Sequence, residues 1–156
     1  RNMALTKINN NTLSSAGITT GKVLQVVTGT TTSTVNTSST SFVTTGLTAN
    51  ITPSSTSSKI QILCLGGEIN TNASGRDSEV TIYRDSTDLG NGVAGMGAIL
   101  SLGARIHGIP SIGYLDSPSS TSALTYAMYF RSGGTVQVSF DSNACKASII
   151  LMEIAG

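Results

Sequence analysis

Hydrophobic and polar residues alternate in short stretches along most of the chain. In the segment Ala123–Arg131, for example, the large side chains of Tyr126, Met128 and Phe130 occupy every second position. Alternation of this kind is typical of a β-strand that has one buried and one solvent-facing side. Clusters of Gly, Ser, Pro and Asp interrupt the stretches where turns are expected. The pattern therefore predicts a chain built from strands.

Eight segments carry the strand pattern, and none shows the period of an amphipathic helix. The threonine-rich segment Thr28–Thr40 is a loop or an edge strand, because β-branched residues favour extended backbone. About eight to ten antiparallel strands with short turns predict an all-β fold, a jelly-roll β-sandwich. The eight segments are Val23–Val27, Ser41–Thr45, Lys59–Leu65, Val80–Arg84, Ile99–Ile106, Ala123–Arg131, Val136–Phe140 and Ser148–Ile154.

Two of the predicted strands, Lys59–Leu65 and Ser148–Ile154, are apolar on both faces. A strand needs only one apolar face to contribute to a core, so the second face must be covered as well. Either a neighbouring subunit covers it, or it is buried between two sheets of the same chain.

The chain divides into a polar arm, residues 1–21, and a jelly-roll head domain, residues 22–156. The arm contains few apolar residues and the run Asn9-Asn10-Asn11. It is an attachment segment or stem or, equally, a frayed terminus. No hydrophobic signal-peptide region lies between Arg1 and Thr12, which favours synthesis in a cytosol.

The charge composition narrows the range of partners. Only 11% of the residues are charged, against roughly 25% in an average soluble domain, and the net charge is +1. Nucleic-acid binding needs clustered Lys and Arg, so no nucleic-acid partner is expected. No apolar run is long enough to insert into a membrane. Much of the polar surface is instead expected to come from hydroxyl groups, since the chain has 22 Thr and 23 Ser.

Sequence motifs provide little support for catalysis or cofactor binding. Gly90–Gly95 matches GxGxxG, but a dinucleotide site needs a strand before the motif and a helix beginning within it. A turn precedes the motif and glycines follow it, so we expect a flexible loop and no cofactor. His107 is the only histidine, which excludes a multi-histidine metal site, and no GxSxG motif occurs. The sequence therefore predicts no catalytic residue and no metal, and a protein that is not an enzyme.

The two cysteines, Cys64 and Cys145, are too far apart for a CxxC motif or a zinc knuckle. Both lie near apolar segments, so we expect two buried thiols that act as small hydrophobic residues. A structural disulfide between them is the alternative.

Several stretches together resemble the head domains of tail fibres from tailed phages of marine bacteria and cyanobacteria. They carry no catalytic signature, and they cover most of the chain. The N-terminal stretches are Met3–Gly17 (MALTKINNNTLSSAG), Gly21–Val27 (GKVLQVV) and Ser41–Ile51 (SFVTTGLTANI). The later ones are Thr81–Gly90 (TIYRDSTDLG), Tyr114–Arg131 (YLDSPSSTSALTYAMYFR) and Ala147–Gly156 (ASIILMEIAG).

This resemblance implies a jelly roll similar to the C1q and tumour-necrosis-factor fold, which assembles as a homotrimer on a short stem. The protein would then belong to a virion made in the host cytoplasm. Its arm would attach it to a phage tail or capsid protein, and its distal loops would bind a glycan or protein of the host cell surface. Because 156 residues leave no room for a long repetitive shaft, a capsid-decorating head fibre or cement protein is the main alternative. An envelope-polysaccharide depolymerase is a weaker one.

Candidate receptor contacts lie in the predicted loops at 70–78, 85–95, 106–121 and 132–135. Aromatic rings stack on sugars, while charged groups orient sugar hydroxyls. On this basis the residues expected to bind a receptor are Arg76, His107, Tyr114 and Asp116.

Overall fold

A computed structural model describes residues 21–71, 76–101, 105–141 and 143–156. The predicted arm, apart from Gly21, lies outside the described residues. The described part of the chain forms 13 β-strands and no helix. All strand pairs are antiparallel.

The first sheet has four strands in the order β1-β13-β4-β10. Its central strand β13 pairs with β1 on one edge and with β4 on the other. The chain therefore returns at its end to a place beside its first strand. The strands are β1 (Val23–Thr31), β4 (Lys59–Gly66), β10 (Ile112–Asp116) and β13 (Ala147–Ile154).

The second sheet has the order β3-β11-β6-β7, and a fifth strand, β8, also pairs with β6. The long strands β3, β11 and β6 carry the alternation seen in the sequence. The strands are β3 (Val43–Ile51), β6 (Arg76–Arg84), β7 (Thr87–Asp88), β8 (Gly97–Ser101) and β11 (Leu124–Ser132).

Four short strands form a third sheet with the order β2-β12-β5-β9. This sheet adds Ile69, Val138 and Phe140 to the hydrophobic core. The strands are β2 (Val35–Thr37), β5 (Ile69–Thr71), β9 (Ile106–Gly108) and β12 (Val138–Phe140).

The core lies between the first and second sheets and consists of every second residue of their strands. On β13, Ile149 and Leu151 are fully buried, and they face the second sheet, where Ile82, Met128 and Phe130 are buried. Burial of one such side chain contributes about 1.5–3 kcal/mol, so this shared face supplies most of the driving force for folding. The predicted all-β jelly-roll sandwich with antiparallel strands is confirmed.

Gly29 allows the two sheets to approach each other closely at one edge. A Cβ atom at this position of β1 would lie 1.9 Å from the carbonyl oxygen of Thr48 on β3. No side chain fits in that space, so glycine is required for β1 to pack there.

All eight predicted strand segments overlap observed strands, but their boundaries shift. Thr28–Thr40 proves to be partly strand, because β1 continues to Thr31 and β2 follows after a short break. The segment Ile99–Ile106 is not one strand, because it contains the end of β8 and the start of β9. The strands β5, β7 and β10 had no counterpart in the predicted set; β7 lies where the sequence predicted a turn.

Only one of the two cysteines is a buried thiol as predicted. Cys64 is fully buried in β4, and burial raises its pKa to about 12. Cys145 is exposed, so the prediction of a second buried thiol is wrong. Both thiols are free, and the alternative of a disulfide is also wrong.

Glu153 is a fully buried carboxylate on the inward face of β13. Its Oε2 accepts a hydrogen bond from Gln25 Nε2 at 2.6 Å, and its Oε1 accepts two from Ser54, from the backbone amide at 2.7 Å and the hydroxyl at 2.6 Å. Burial alone would raise the pKa of Glu153, but these hydrogen bonds outweigh it and lower the pKa to about 2.

We predict that Glu153 stabilises the fold in a pH-dependent manner. Its folded pKa lies below the unfolded value of about 4.5, so its contribution is complete above that pH and is lost as the pH falls toward 2. The substitution Glu153→Gln should lower the free energy of unfolding by about 2 kcal/mol at pH 7 and by less at pH 3. Urea unfolding at both pH values measures this. Ser54→Ala, which keeps the backbone donor, should cause a smaller loss, and an equal loss for Glu153→Gln at both pH values would contradict the prediction.

Candidate functional site

The outer side of the first sheet carries an apolar surface, which we call the outer apolar face. Its strand register places Val26, Met152, Gln61 and Leu115 in one row across all four strands. The outward positions considered are those of β4, β10 and β13 and, in β1, those between residues 26 and 30. Among them, Lys59 is the one charged residue. The apolar members are Val23, Val26, Leu63, Leu65, Leu115, Ile150, Met152 and Ile154.

The described part of the chain leaves this face partly open to solvent. Val26 is 57% exposed, and Leu115 and Leu65 are each more than 40% exposed. The four strands are five to nine residues long and about 4.8 Å apart, so the whole sheet face presents roughly 480 Å², with apolar side chains at more than half of its outward positions. Apolar patches of a few hundred Å² on a monomer are commonly interaction sites. The second apolar face predicted for Lys59–Leu65 and Ser148–Ile154 is therefore present, and the residues that the structure describes leave it partly exposed.

A groove of about 560 Å³ opens between the third sheet and the loop that follows β12. Its walls combine an exposed apolar side chain, Ile109, with the polar side chains of Glu68 and His107. The exposed thiol of Cys145 lies at the same groove. Gly67 and Gly108 complete the lining.

Glu68 organises the polar side of the groove. Its carboxylate is largely buried, and its Oε1 lies 2.7 Å from His107 Nδ1 and accepts a hydrogen bond from Asn70 Nδ2 at 3.2 Å. Asn143 Nδ2 donates to the other oxygen, Oε2. One carboxylate thus connects β5, β9 and the loop after β12, and it leaves the half-exposed imidazole of His107 at the surface of the groove.

Asp116 lies in a different, buried network. Both of its carboxylate oxygens accept hydrogen bonds from Arg84 Nη1, at 2.9 and 2.7 Å, and Oδ2 also accepts one from the Tyr126 hydroxyl at 2.7 Å. Burial raises the pKa of Tyr126, and its hydrogen bond to Asp116 raises it further. Asp116 is only 6% exposed, so its carboxylate is used within the fold.

The four predicted receptor contacts do not converge on one site. Arg76 begins β6 in the second sheet, where its backbone pairs with Ser101, and its side chain lies outside the described part of the structure. His107 belongs to the third sheet, whereas Tyr114 and Asp116 belong to β10 of the first. Tyr114 is 41% exposed on this edge strand. The receptor-binding role of all four remains a prediction.

The neighbours of His107 were missed by the sequence-based prediction. Glu68 follows two glycines that end β4, and Asn143 and Cys145 follow β12. Nothing in the local sequence separates these residues from solvated loop residues.

The GxGxxG segment forms a tight loop between β7 and β8. Asn91 and Gly95 form an isolated antiparallel bridge, and no helix begins in this segment. Arg131 holds the loop by donating to the carbonyl of Val93, while its Nε lies 2.5 Å from Glu79 Oε2. The motif therefore lacks the helix N-terminus that a pyrophosphate would require.

Among the residues that the structure describes, no group of three or more His, Cys, Asp or Glu side chains is placed to hold a metal ion. Within the same residues no helix is long and apolar enough to cross a membrane.

The fold and these surfaces describe a β-sandwich that presents an apolar sheet face and a polar groove. No protein-family model matches the chain, and no curated protein matches it either. Two of the solved structures that are similar to this chain come from a virus. A chain of the T13 particle of infectious bursal disease virus (IBDV) is 15% identical to this chain in sequence, with a TM-score of 0.45. The match covers 86% of this chain and 36% of that chain. A chain from the structure of the Gx strain of the same virus is 16% identical to this chain, with a TM-score of 0.46. This match covers 86% of this chain and 33% of that chain. The chain thus spans about a third of each of these proteins, and similarity at this level assigns no family.

We predict that Asp116 is required for stability. Asp116→Ala removes the partner of a half-buried Arg84 and of the buried Tyr126 hydroxyl, and should lower the free energy of unfolding by about 2–4 kcal/mol. Tyr114→Ala, two residues away on the same strand, should cost less than about 1 kcal/mol because Tyr114 is exposed. Denaturant unfolding compares the two variants. Equal stability of the two variants would show that the buried network contributes little.

Proposed function

We propose that the chain is a non-enzymatic structural protein of a virion, the head of a phage tail fibre that binds the host surface as a homotrimer. The outer apolar face is the observation that carries the self-assembly part of this proposal. The resemblance of six sequence stretches to tail-fibre heads supports two further parts of the proposal: that the chain belongs to a tail fibre, and that it assembles as a trimer.

Self-association accounts for the outer apolar face better than a charged partner would. Lys59, at one margin, is the only charge at the outward positions, so electrostatic complementarity with another protein has little to act on. The sheet face of roughly 480 Å² per subunit, apolar at more than half of its outward positions, supplies a large part of the approximately 800 Å² per partner that stable interfaces bury. Subunits arranged around a closed symmetry axis would bury the face on every copy.

Host binding requires surfaces that remain open after assembly. The groove beside His107 belongs to the third sheet and does not include residues of the outer apolar face. Its exposed imidazole and the exposed Ile109 side chain provide one polar and one apolar contact for a surface glycan or protein. Three such sites on one trimer would gain avidity from their high effective concentration, even where each contact is weak.

We predict that the purified chain has a molar mass near three times 15.9 kDa. Val26→Lys combined with Met152→Lys places two charges on neighbouring strands in the middle of the outer apolar face, and should yield monomers. Val93→Lys is the matched control, because Val93 is 79% exposed in the loop between β7 and β8, away from this face. Light scattering coupled to size-exclusion chromatography measures the mass, and circular dichroism verifies the fold. A monomeric wild-type chain would refute assembly of the isolated head.

We predict that the fluorescently labelled trimer binds particular strains in a panel of marine bacteria and cyanobacteria. Replacement of Arg76, His107 and Tyr114 together by alanine should reduce this binding at least tenfold, and the trimer mass should not change. Asp116 is left intact, because its loss is expected to destabilise the fold.

The same assay distinguishes the alternatives. Binding to phage particles but to no cells would indicate a capsid decoration protein. Release of reducing ends from host envelope would indicate a depolymerase. Undiminished cell binding by the triple variant would show that these three residues are not the contacts.

A further inference from the structure

Three aromatic side chains form a cluster on the outer side of the second sheet, which we call the aromatic cluster. Tyr83 of β6 and Tyr129 of β11 stack with their ring centroids 4.2 Å apart, and Phe42, just before β3, meets Tyr83 edge-on at 6.4 Å. All three side chains are partly exposed. The chain has three Phe, four Tyr and no Trp, so almost half of its aromatic rings lie in this one cluster.

The strand pattern does not require large rings at these positions. Exposed outward positions on the neighbouring strands carry short hydroxyl and amide side chains, namely Thr44, Thr48 and Asn50 on β3 and Thr125 on β11. Threonine is sufficient for a solvent-facing strand position, because its β-branched side chain already favours extended backbone. Tyrosine adds a flat apolar ring with a polar tip, which suits contact with a ligand that offers both kinds of surface.

The Tyr83 and Tyr129 hydroxyls are available to a ligand. In the described part of the chain neither hydroxyl has a hydrogen-bond partner, whereas the buried Tyr126 hydroxyl donates to Asp116 at 2.7 Å. Burial raises the pKa of Tyr83 and the charge of Asp88 raises it further, so this hydroxyl keeps its proton at neutral pH. A protonated phenol can both donate and accept a hydrogen bond.

The charges beside the aromatic cluster favour a ligand without charge. The Arg131 guanidinium lies 4.5 Å from the centroid of the Phe42 ring, and its Nε is 2.5 Å from Glu79 Oε2. Asp88 Oδ1 accepts a hydrogen bond from the Thr81 hydroxyl at 2.6 Å. An anion would meet two carboxylates here and a cation would meet the guanidinium, so a neutral ligand encounters the least repulsion.

The aromatic cluster and the outer apolar face lie on opposite sides of the sandwich, because the core lies between the first and second sheets. The outer apolar face is aliphatic and suits burial against another copy of the chain. The aromatic cluster is smaller and is bordered by hydroxyl groups, so it suits a small hydroxylated ligand. Burial of the outer apolar face between subunits does not by itself cover the cluster.

We propose that the aromatic cluster binds a neutral sugar residue of a host-surface glycan. The C–H face of the sugar packs on the tyrosine rings, and the sugar hydroxyls bond to the phenol hydroxyls of Tyr83 and Tyr129 and to neighbouring threonines. The host as the source of the sugar rests on the proposed function, whereas the sugar site itself does not. The cluster includes none of Arg76, His107 and Tyr114.

Saturation-transfer NMR on purified protein tests the proposal without cells. The probes are the methyl glycosides of glucose, galactose, mannose, rhamnose and N-acetylglucosamine, with that of N-acetylneuraminic acid as the anionic comparison. We expect transfer to the ring C–H protons of at least one neutral sugar, and less to the anionic one. Tyr83→Thr combined with Tyr129→Thr removes both stacked rings and should weaken binding at least tenfold.

Leu100→Thr is the matched control. It removes an exposed apolar side chain from β8 of the same sheet, where Leu100 pairs with Asp77, about 20 Å along β6 from Tyr83. Sugar binding by this variant should equal that of the wild type. Circular dichroism verifies the fold of each variant. If the double variant does not fold, Tyr129→Thr alone decides the question, with an expected several-fold loss of binding.

Absence of transfer from the wild type to every neutral sugar would overturn the proposal, and so would undiminished binding by the threonine variant. Loss of the trimer mass in that variant would identify the cluster as a subunit contact and would overturn it too. Failure of the proposed host binding is a separate result. Cell binding without sugar binding overturns only the sugar site, whereas sugar binding without cell binding overturns only the host-binding function.

Discussion

The register of β13 is the constraint on which the rest of the structure depends. This strand pairs along its whole length with β1 and with β4, so a slip by one residue would exchange its inward and outward side chains. Hydrophobicity alone opposes such a slip weakly, because inward Ile149 and Leu151 would merely exchange with outward Ile150 and Met152. Glu153 opposes it strongly, because only the native register places its carboxylate against the donors of Gln25 and Ser54.

Individual strands were easier to predict from the sequence than the pairing between them. The alternation in β11 and the apolar run of β4 identify strands without knowledge of their partners. The short strand β5 did not stand out, because Asn70 and Thr71 are polar although both are fully buried. Pairing with β12 and β9 places them inside, and single-sequence patterns contain no information on such pairing between distant segments.

The candidate site was predictable only where one residue was unusual by itself. His107 stands out as the only histidine, but its partners Glu68 and Asn143 lie far from it in the sequence and meet it only in the folded chain. The outer apolar face, in contrast, was visible in the sequence, because a strand that is apolar at consecutive positions must present hydrophobic side chains on both sides of its sheet.

Asp116 shows how a polar residue in a strand can be recognised as structural. Its carboxylate is directed inward from the end of β10, and the two residues that bind it, Arg84 and Tyr126, are opposite each other on β6 and β11. Only 11% of the residues are charged. When an acidic and a basic residue occupy inward positions at strand ends in such a chain, they are expected to form a buried ion pair and not two separate surface contacts. The inward or outward position of a charged residue in its strand is therefore more informative about its role than its proximity to a loop.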